Sequence, residues 1–371
     1  MDATAARRAD IDAKQAAVAR VLEAMEVEAV VMVMPVHVAW FTSGLNVRGL
    51  FADSERPCVF TNGRQRWLIC SNTDTQRFFD EELDQLGFQL REWQWETGRA
   101  EVLAHATLGR KVAADRPFPN IPMANDHLRP LVRVLRPFEQ EQYREVGRLV
   151  AHAVEATART CRRGETEEEI AGQLGHRLLH RGVEPAAVSV VADDRGAKYR
   201  RSGFGTTPAT RTALIQATGH RAGLYATCSR TVCFGEVAPE FRLANDLAMR
   251  QAALFRSVTQ PEAEVAAIGQ IGRQLLANTP FEFDWRLAPP GYGAGRFPAE
   301  ELRRAGAEEP LAAGQAVVWQ PRVGPAAVVD TLIVTDGDPV VVTPTEEWPL
   351  RRFALRGGPE VDVPDVYVRD G

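Results

Sequence analysis

The sequence predicts an α/β chain of two domains, the first built on a mixed sheet and the second by internal repetition. Three observations carry this. Strand-length apolar runs alternate with helical periodicity between residues 9 and 114. Prolines then gather at Pro117, Pro119, Pro122 and Pro130, a texture that marks a domain boundary. From Pro137 onward, a pattern of two helices followed by strands occurs twice. At 371 residues, with 45% apolar composition, the chain is long enough for two cores and apolar enough to fill them.

The elements follow in order. Ile11, Val18, Val21, Leu22 and Met25 recur at helical spacing and predict a helix over residues 9–25. The run AVVMVM, Ala29–Met34, reads as a buried strand, and Cys58–Thr61, Trp67–Cys70 and Lys111–Ala114 as further strands. Thr73–Leu86 is expected to be helical between them. This alternation gives an α/β domain over residues 1–133 with a mixed sheet.

The second domain, residues 134–371, opens on a long amphipathic helix that begins at Pro137 and ends before Cys161-Arg162-Arg163-Gly164. Thr166-Glu167-Glu168-Glu169 is a capping box: the Thr hydroxyl can accept from the third amide while Glu169 reaches back. It predicts a helix over Glu167–His180, stopped at Gly182. Strands follow near Val188–Ala192, Ala213–Ala217 and Thr231–Phe234. The pattern then repeats, with helices over Leu243–Val258 and Glu264–Ala277 and strands at Ala316–Trp319 and Asp330–Val334. An internal repeat of this size predicts a pseudo-twofold domain with its site between the halves.

Charge and cysteine usage exclude some classes. The formal net charge of −5 leaves no basic excess for nucleic acid. The cluster Arg195-Gly196-Ala197-Lys198-Tyr199-Arg200-Arg201 is the local exception, as a solvated loop or a binding loop. The N-terminal MDATAARRADIDAKQ has no apolar core of a signal peptide. The longest apolar run, Ala29 to Phe41, contains Pro35 and is too short to cross a bilayer. Five cysteines without a CxxC pair argue against a disulfide framework or a zinc ribbon. The expectation is a cytoplasmic protein that meets neither membrane nor nucleic acid.

The stretch LRPFEQEQYREVGRLVAHAVEATARTCRRGETEEEIAGQLGHRLLHRG resembles the entry to the catalytic domain of the creatinase/aminopeptidase P family, whose fold is called pita-bread. VVMVMPVHVAWFTSGL resembles the first domain of its creatinase-like branch. GYGAGR, VVWQPRVG and VVDTLIV fall where the family has its HGIG-like, IEPG-like and EDT-like strings. The resemblance covers nearly the whole chain. It implies a creatinase-type domain followed by a pita-bread domain, assembled as a homodimer. It also implies that Asn46 and Arg48, in SGLNVRG, reach a neighbouring protomer's site.

The family's metallopeptidases hold two divalent metals with two Asp, one His and two Glu. Hard or borderline cations need such ligands, and the pair generates hydroxide near neutral pH. Carried over one by one, these positions are Gln216, Thr227, Tyr292, Gln320 and Val329 here. All five are replaced by residues that are neither anionic nor imidazole, so no metal and no other cofactor is expected. No histidine follows His220. His176 and His180 stand four apart on a helix, a spacing that can grip zinc, but no third ligand accompanies them.

The position of the catalytic histidine in creatinase itself, which works without metal, falls on Tyr199, with Arg200 beside it. Tyr199 and Tyr292 are therefore the candidate acid/base residues, and Gln216, Thr227, Gln320 and Arg322 the candidate ligand contacts. Each has a structural alternative. Gln216 and Gln320 can be amides bonded to one another, Tyr292 a packed ring, Thr227 a strand hydroxyl and Arg322 a surface charge. His220 lies in a turn, Arg296 is near in sequence to Tyr292, and Asp330 is placed to order Arg230. Two functions stay open. One is a metal-independent enzyme acting on a small polar molecule by C–N bond hydrolysis or rearrangement. The other is a non-catalytic relative that binds a ligand or a protein. A metal-dependent Xaa-Pro peptidase is the third reading.

Overall fold

The computed structural model describes residues 2–47, 52–201, 203–299, 303–304, 307–355 and 360–370. The chain divides into two compact units, 1–139 and 140–371, the division falling in the first turn of a helix over Pro137–Thr160. Among the described residues no helix is long and apolar enough to cross a membrane.

The first unit is built on a five-stranded mixed sheet. Its strands are β1 (Ala29–Met32), β2 (Cys58–Thr61), β3 (Arg66–Ser71), β4 (Gln89–Trp93) and β5 (Val112–Ala114), in the order β4-β3-β2-β1-β5. β1 runs antiparallel to β2 and parallel to β5, and β3 runs parallel to β4. The first three strands are buried along their whole length, so they read as continuous apolar runs rather than alternation. β4 is mostly exposed and carries no such signal. Helix α1 (Ala3–Ala24) starts earlier than its apolar spacing suggests, because the Asp2 side chain caps the Thr4 amide. The expected helix over Thr73–Leu86 is shorter, α-helical over Thr75–Arg77 and continuing directly as a π-helix over Phe78–Leu83. Helix α2 (Pro35–Phe41) begins where Asp115 accepts from the Val33 and Met34 amides and meets His37 Nδ1 at 2.8 Å.

A buried charge cluster ties this unit together. Lys14 is fully buried and lies 2.6 Å from both Asp10 and Glu139, with the Ser43 hydroxyl at 2.8 Å. Arg136 reaches the other oxygen of Asp10. Pro130, taken with the boundary prolines in the sequence, lies inside a helix over Asn125–Arg133.

In the second unit, helix α3 (Pro137–Thr160) is followed by α4 (Glu167–His180). The capping box forms as expected: Thr166 Oγ1 accepts from the Glu169 amide, and Glu169 accepts from the Thr166 amide at 2.8 Å. Gly182 ends the helix with φ of +70°. Next come β6 (Glu184–Ala192), β7 (Thr212–Arg221) and β8 (Leu224–Phe234), an antiparallel meander joined at its edge by the parallel C-terminal strand Tyr367–Arg369. The strands foreseen at Ala213–Ala217 and Thr231–Phe234 are parts of one long hairpin. A Cβ at Gly219 would stand 2.4 Å from Val150 and 2.6 Å from Val183, so glycine is what lets α3 lie against β7.

Helices α5 (Pro239–Ser257) and α6 (Val265–Leu276) open the second copy of the pattern. It continues through β9 (Gly291–Gly293), β10 (Ala316–Trp319), the short hairpin β11 (Arg322–Val323) and β12 (Ala326–Ala327), β13 (Asp330–Ile333) and β14 (Val340–Val341). β14-β13-β10-β9 form an antiparallel sheet. The two four-stranded sheets are stitched together at β8. The Thr227 amide donates to Thr331 Oγ1, the Ser229 amide to the Val329 carbonyl, and Tyr225 bridges to Gly295.

Candidate functional site

The β7–β8 hairpin turns at Ala222 and Gly223, both with positive φ. Its register sets Gln216 opposite Ser229 and Thr218 opposite Thr227. Because side chains alternate along a strand, these four project from one face. On the second sheet Tyr292 pairs with Val318, and Gln320 follows two residues on, its amide bonded to the Pro290 carbonyl. Tyr292 is brought to the hairpin: its hydroxyl lies 3.3 Å from Thr227 Oγ1, which is 2.8 Å from Thr218 Oγ1. Arg322, on β11, donates to Gln216 Oε1 at 2.9 Å. Gln216, Tyr292 and Arg322 are part-buried and Thr227 is almost fully buried.

The electrostatics follow from burial. Desolvation pushes the Tyr292 phenol above its ordinary pKa, while hydrogen bonds from Thr227 and Thr218 and the charge of Arg322 pull it back in part. Desolvation, then repulsion from Arg200, lowers the pKa of the Arg322 guanidinium. Among the described residues no carboxylate pairs with Arg322; its partner is a neutral amide. This is the energetic oddity of the site, because partly buried guanidinium groups are ordinarily matched by an anion.

The other candidates are placed as follows. Gln216 and Gln320 are not bonded to each other: Gln216 is taken by Arg322, and Gln320 Nε2 lies 3.3 Å from the Pro289 carbonyl. Tyr199 is 51% exposed beneath the Arg195 guanidinium, and among the described residues no hydrogen bond joins it to the group around Tyr292. Its neighbour Arg200 spans Asp284 and the Gly324 carbonyl. The basic loop is thus anchored rather than merely solvated, since Arg195 also pairs with Glu167. Arg296 is buried and bonded to the Gly223 carbonyl. His220 stacks on Tyr225 and meets Glu184. Asn46 bonds to Glu82 and Arg77 through its backbone, and Arg48 lies outside the described residues.

Sequence reasoning missed Thr218, Thr331 and Tyr143. Thr218 is recognisable only once the hairpin register is known. Thr331 donates back to the Thr227 carbonyl. Tyr143, fully buried, donates to the Tyr225 carbonyl at 2.6 Å. Behind the site Arg230, 2% exposed, bonds to Glu155, Asp330 and the carbonyls of Ser229 and Thr343, so Asp330 does order Arg230.

Comparison with known proteins bears on what this arrangement is. A sequence model described as metallopeptidase family M24 matches residues 141–343. The chain belongs to this family. No curated protein matches the chain. Solved structures share the fold of this M24 protein at low identity. The dipeptidase PepE from Mycobacterium ulcerans has a TM-score of 0.73 at 18% identity, covering 91% of this chain and 97% of that one. The prolidase from Pyrococcus horikoshii OT3 has a TM-score of 0.74 at 14% identity, covering 90% and 98%. The X-Pro aminopeptidase from Thermotoga maritima MSB8 has a TM-score of 0.73 at 15% identity, covering 95% and 98%.

The family implies a pair of metal ions, and the donor chemistry can be tested for fit. The five carried-over positions offer two amides, two hydroxyls and Val329, which is fully buried. None supplies a negative charge to offset the desolvation of a dication. Arg322 brings a positive charge against Gln216, where a metal carboxylate would stand. Among the described residues, no group of three or more His, Cys, Asp or Glu side chains comes together in a way that could hold a metal. His176 and His180 stack on each other instead. The residues present do not fit a dimetal centre.

Proposed function

We propose that this M24 protein is a binding member of its family that holds a small carboxylate-bearing molecule in place of the metal pair and carries out no peptidase chemistry. The observation that carries the reading is the Arg322 guanidinium, part-buried and, among the described residues, bonded only to the Gln216 amide. A carboxylate at this point would accept from Arg322 in a charge-assisted bond and supply the missing anion. The Tyr292 hydroxyl and the Gln320 amide, on the neighbouring sheet, would fix its orientation.

The same geometry argues against C–N bond chemistry. Such a reaction needs a group poised to take and return a proton near neutral pH. Tyr292 is the one titratable member of the hydroxyl group, and burial moves it away from that range. Tyr199 stands outside the bonded set.

The test is calorimetric titration of the wild type and of Arg322→Met with small carboxylates and their uncharged amides. NMR of the mixture reports turnover. Carboxylates should bind the wild type, stay chemically unchanged, and lose affinity in Arg322→Met, while the amides bind weakly to both. Conversion of any carboxylate, or equal affinity for acid and amide, would overturn the reading. So would hydrolysis of Xaa-Pro dipeptides.

A further inference from the structure

A second feature lies at the far end of β7 from Gln216 and does not depend on the reading above. The end of β7, the end of α4 and one face of α3 line an open surface hollow of about 410 Å³, bordered by Glu145, Arg148, Leu149, His180, Arg181 and Arg221. Small-molecule sites commonly span about 300–1,000 Å³, so the volume suits a small ligand.

Its charge is lopsided. Three guanidinium groups and an imidazole face one carboxylate. Glu145 is fully engaged, with both oxygens on Arg148 at 3.0 Å. Arg181 donates to His152 Nε2 at 2.8 Å, a contact that requires that nitrogen to be unprotonated. The His152 pKa is lowered accordingly, first by burial and then by Arg181. Arg221 has neither a hydrogen bond nor an ion pair from its guanidinium among the described residues. Glu346 acts on Arg148 and His152 through its charge and does not line the hollow. Arg221 acts on Glu145 through its charge alone, so three guanidinium groups share one lining carboxylate, in a protein of net charge −5.

We propose that this hollow binds the phosphate group of a small phosphorylated molecule, gripped by Arg181 and Arg221 with Arg148 and His180 at its rim. Planar guanidinium groups match phosphate oxygens in forked geometry. Leu149 in the floor leaves an apolar wall for the rest of the ligand.

Sodium pyrophosphate and inorganic phosphate are the probes, titrated calorimetrically into the full chain near physiological ionic strength. Pyrophosphate should bind at one site and more tightly than phosphate. The Arg181→Gln/Arg221→Gln double variant should weaken it by roughly tenfold or more, whereas Arg144→Gln, which removes an arginine outside the hollow, should not. Arg181 and Arg221 are exposed, so an unchanged urea midpoint would show that the double variant is folded. Unaltered pyrophosphate affinity in the double variant would overturn the proposal. So would abolition of wild-type binding by sodium chloride at matched ionic strength, or tighter binding of phosphatidylglycerol vesicles or single-stranded oligo-adenylate than of pyrophosphate.

Discussion

Replacing Arg322 by methionine should leave the fold as stable as before, or more stable, while removing the affinity of the site for anions. The prediction runs against the expectation for a part-buried arginine. Its folded environment disfavours the charge: desolvation and Arg200 both lower its pKa. Against this stands one hydrogen bond, to Gln216 at 2.9 Å. A charge-assisted bond contributes about 1.5–3 kcal/mol, and the desolvation of the guanidinium cancels it. Exchanging buried charge for an apolar side chain of similar length is commonly neutral or stabilising by about 1–4 kcal/mol. The expected change for Arg322→Met is therefore between zero and about 2 kcal/mol of added stability, with the freed Gln216 amide left to water. Urea unfolding at constant slope measures it as a shift in midpoint. A loss of more than about 2 kcal/mol would refute the reasoning, because it would make Arg322 a structural residue rather than one kept for a ligand.

Arg230→Met should behave in the opposite way. It removes the cation shared by Glu155, 2% exposed, and Asp330, and leaves Glu155 only Arg159 at 3.7 Å, a loss of about 3–5 kcal/mol, or roughly 6–20 °C in melting temperature for a unit of this size. Burial already holds the Glu155 carboxyl above its ordinary range, against the pull of Arg230. A raised folded pKa gives stability that is complete below the unfolded value and lost as pH rises through the folded one. Without Arg230 that loss deepens, so the cost of Arg230→Met should be greater at pH 8 than near pH 5; a pH-independent cost in calorimetry would contradict this. Lys14→Met leaves Asp10 and Glu139 facing each other without Lys14 and should destabilise the first unit by about 3–5 kcal/mol in chemical denaturation. A change under about 1 kcal/mol would show that Arg136 alone suffices to balance them.

Much of the fold was legible because its signals are local. The Thr166–Glu169 box needs only four residues to declare a helix start, and Cys58–Thr61 is apolar throughout because both of its faces are covered. Gln89–Trp93 was not legible, since a mostly exposed edge strand has no apolar pattern. Asn125–Arg133 was hidden by Pro130, which a helix tolerates at the loss of one hydrogen bond. In the site, the positions of Gln216, Thr227, Tyr292 and Gln320 were readable through family resemblance. Their bonding was not. Whether Gln216 meets Gln320 or Arg322 depends on how the β11–β12 hairpin returns toward β7, across 106 residues of separation. The link from Thr227 to Thr218 depends on the two-residue turn at Ala222 and Gly223.

With Gln216, Thr227, Tyr292, Gln320 and Val329 at the positions carried over from the family and Arg322 bonded to Gln216, the proposed site should hold no metal pair. Elemental analysis of the purified full chain, after incubation with manganese, cobalt or zinc and removal of free metal, tests it most directly. No stoichiometric metal should be found, and the metal content should be the same in a Gln216→Ala/Gln320→Ala variant. A tightly held pair of metal ions in the wild type, lost in that variant, would contradict it.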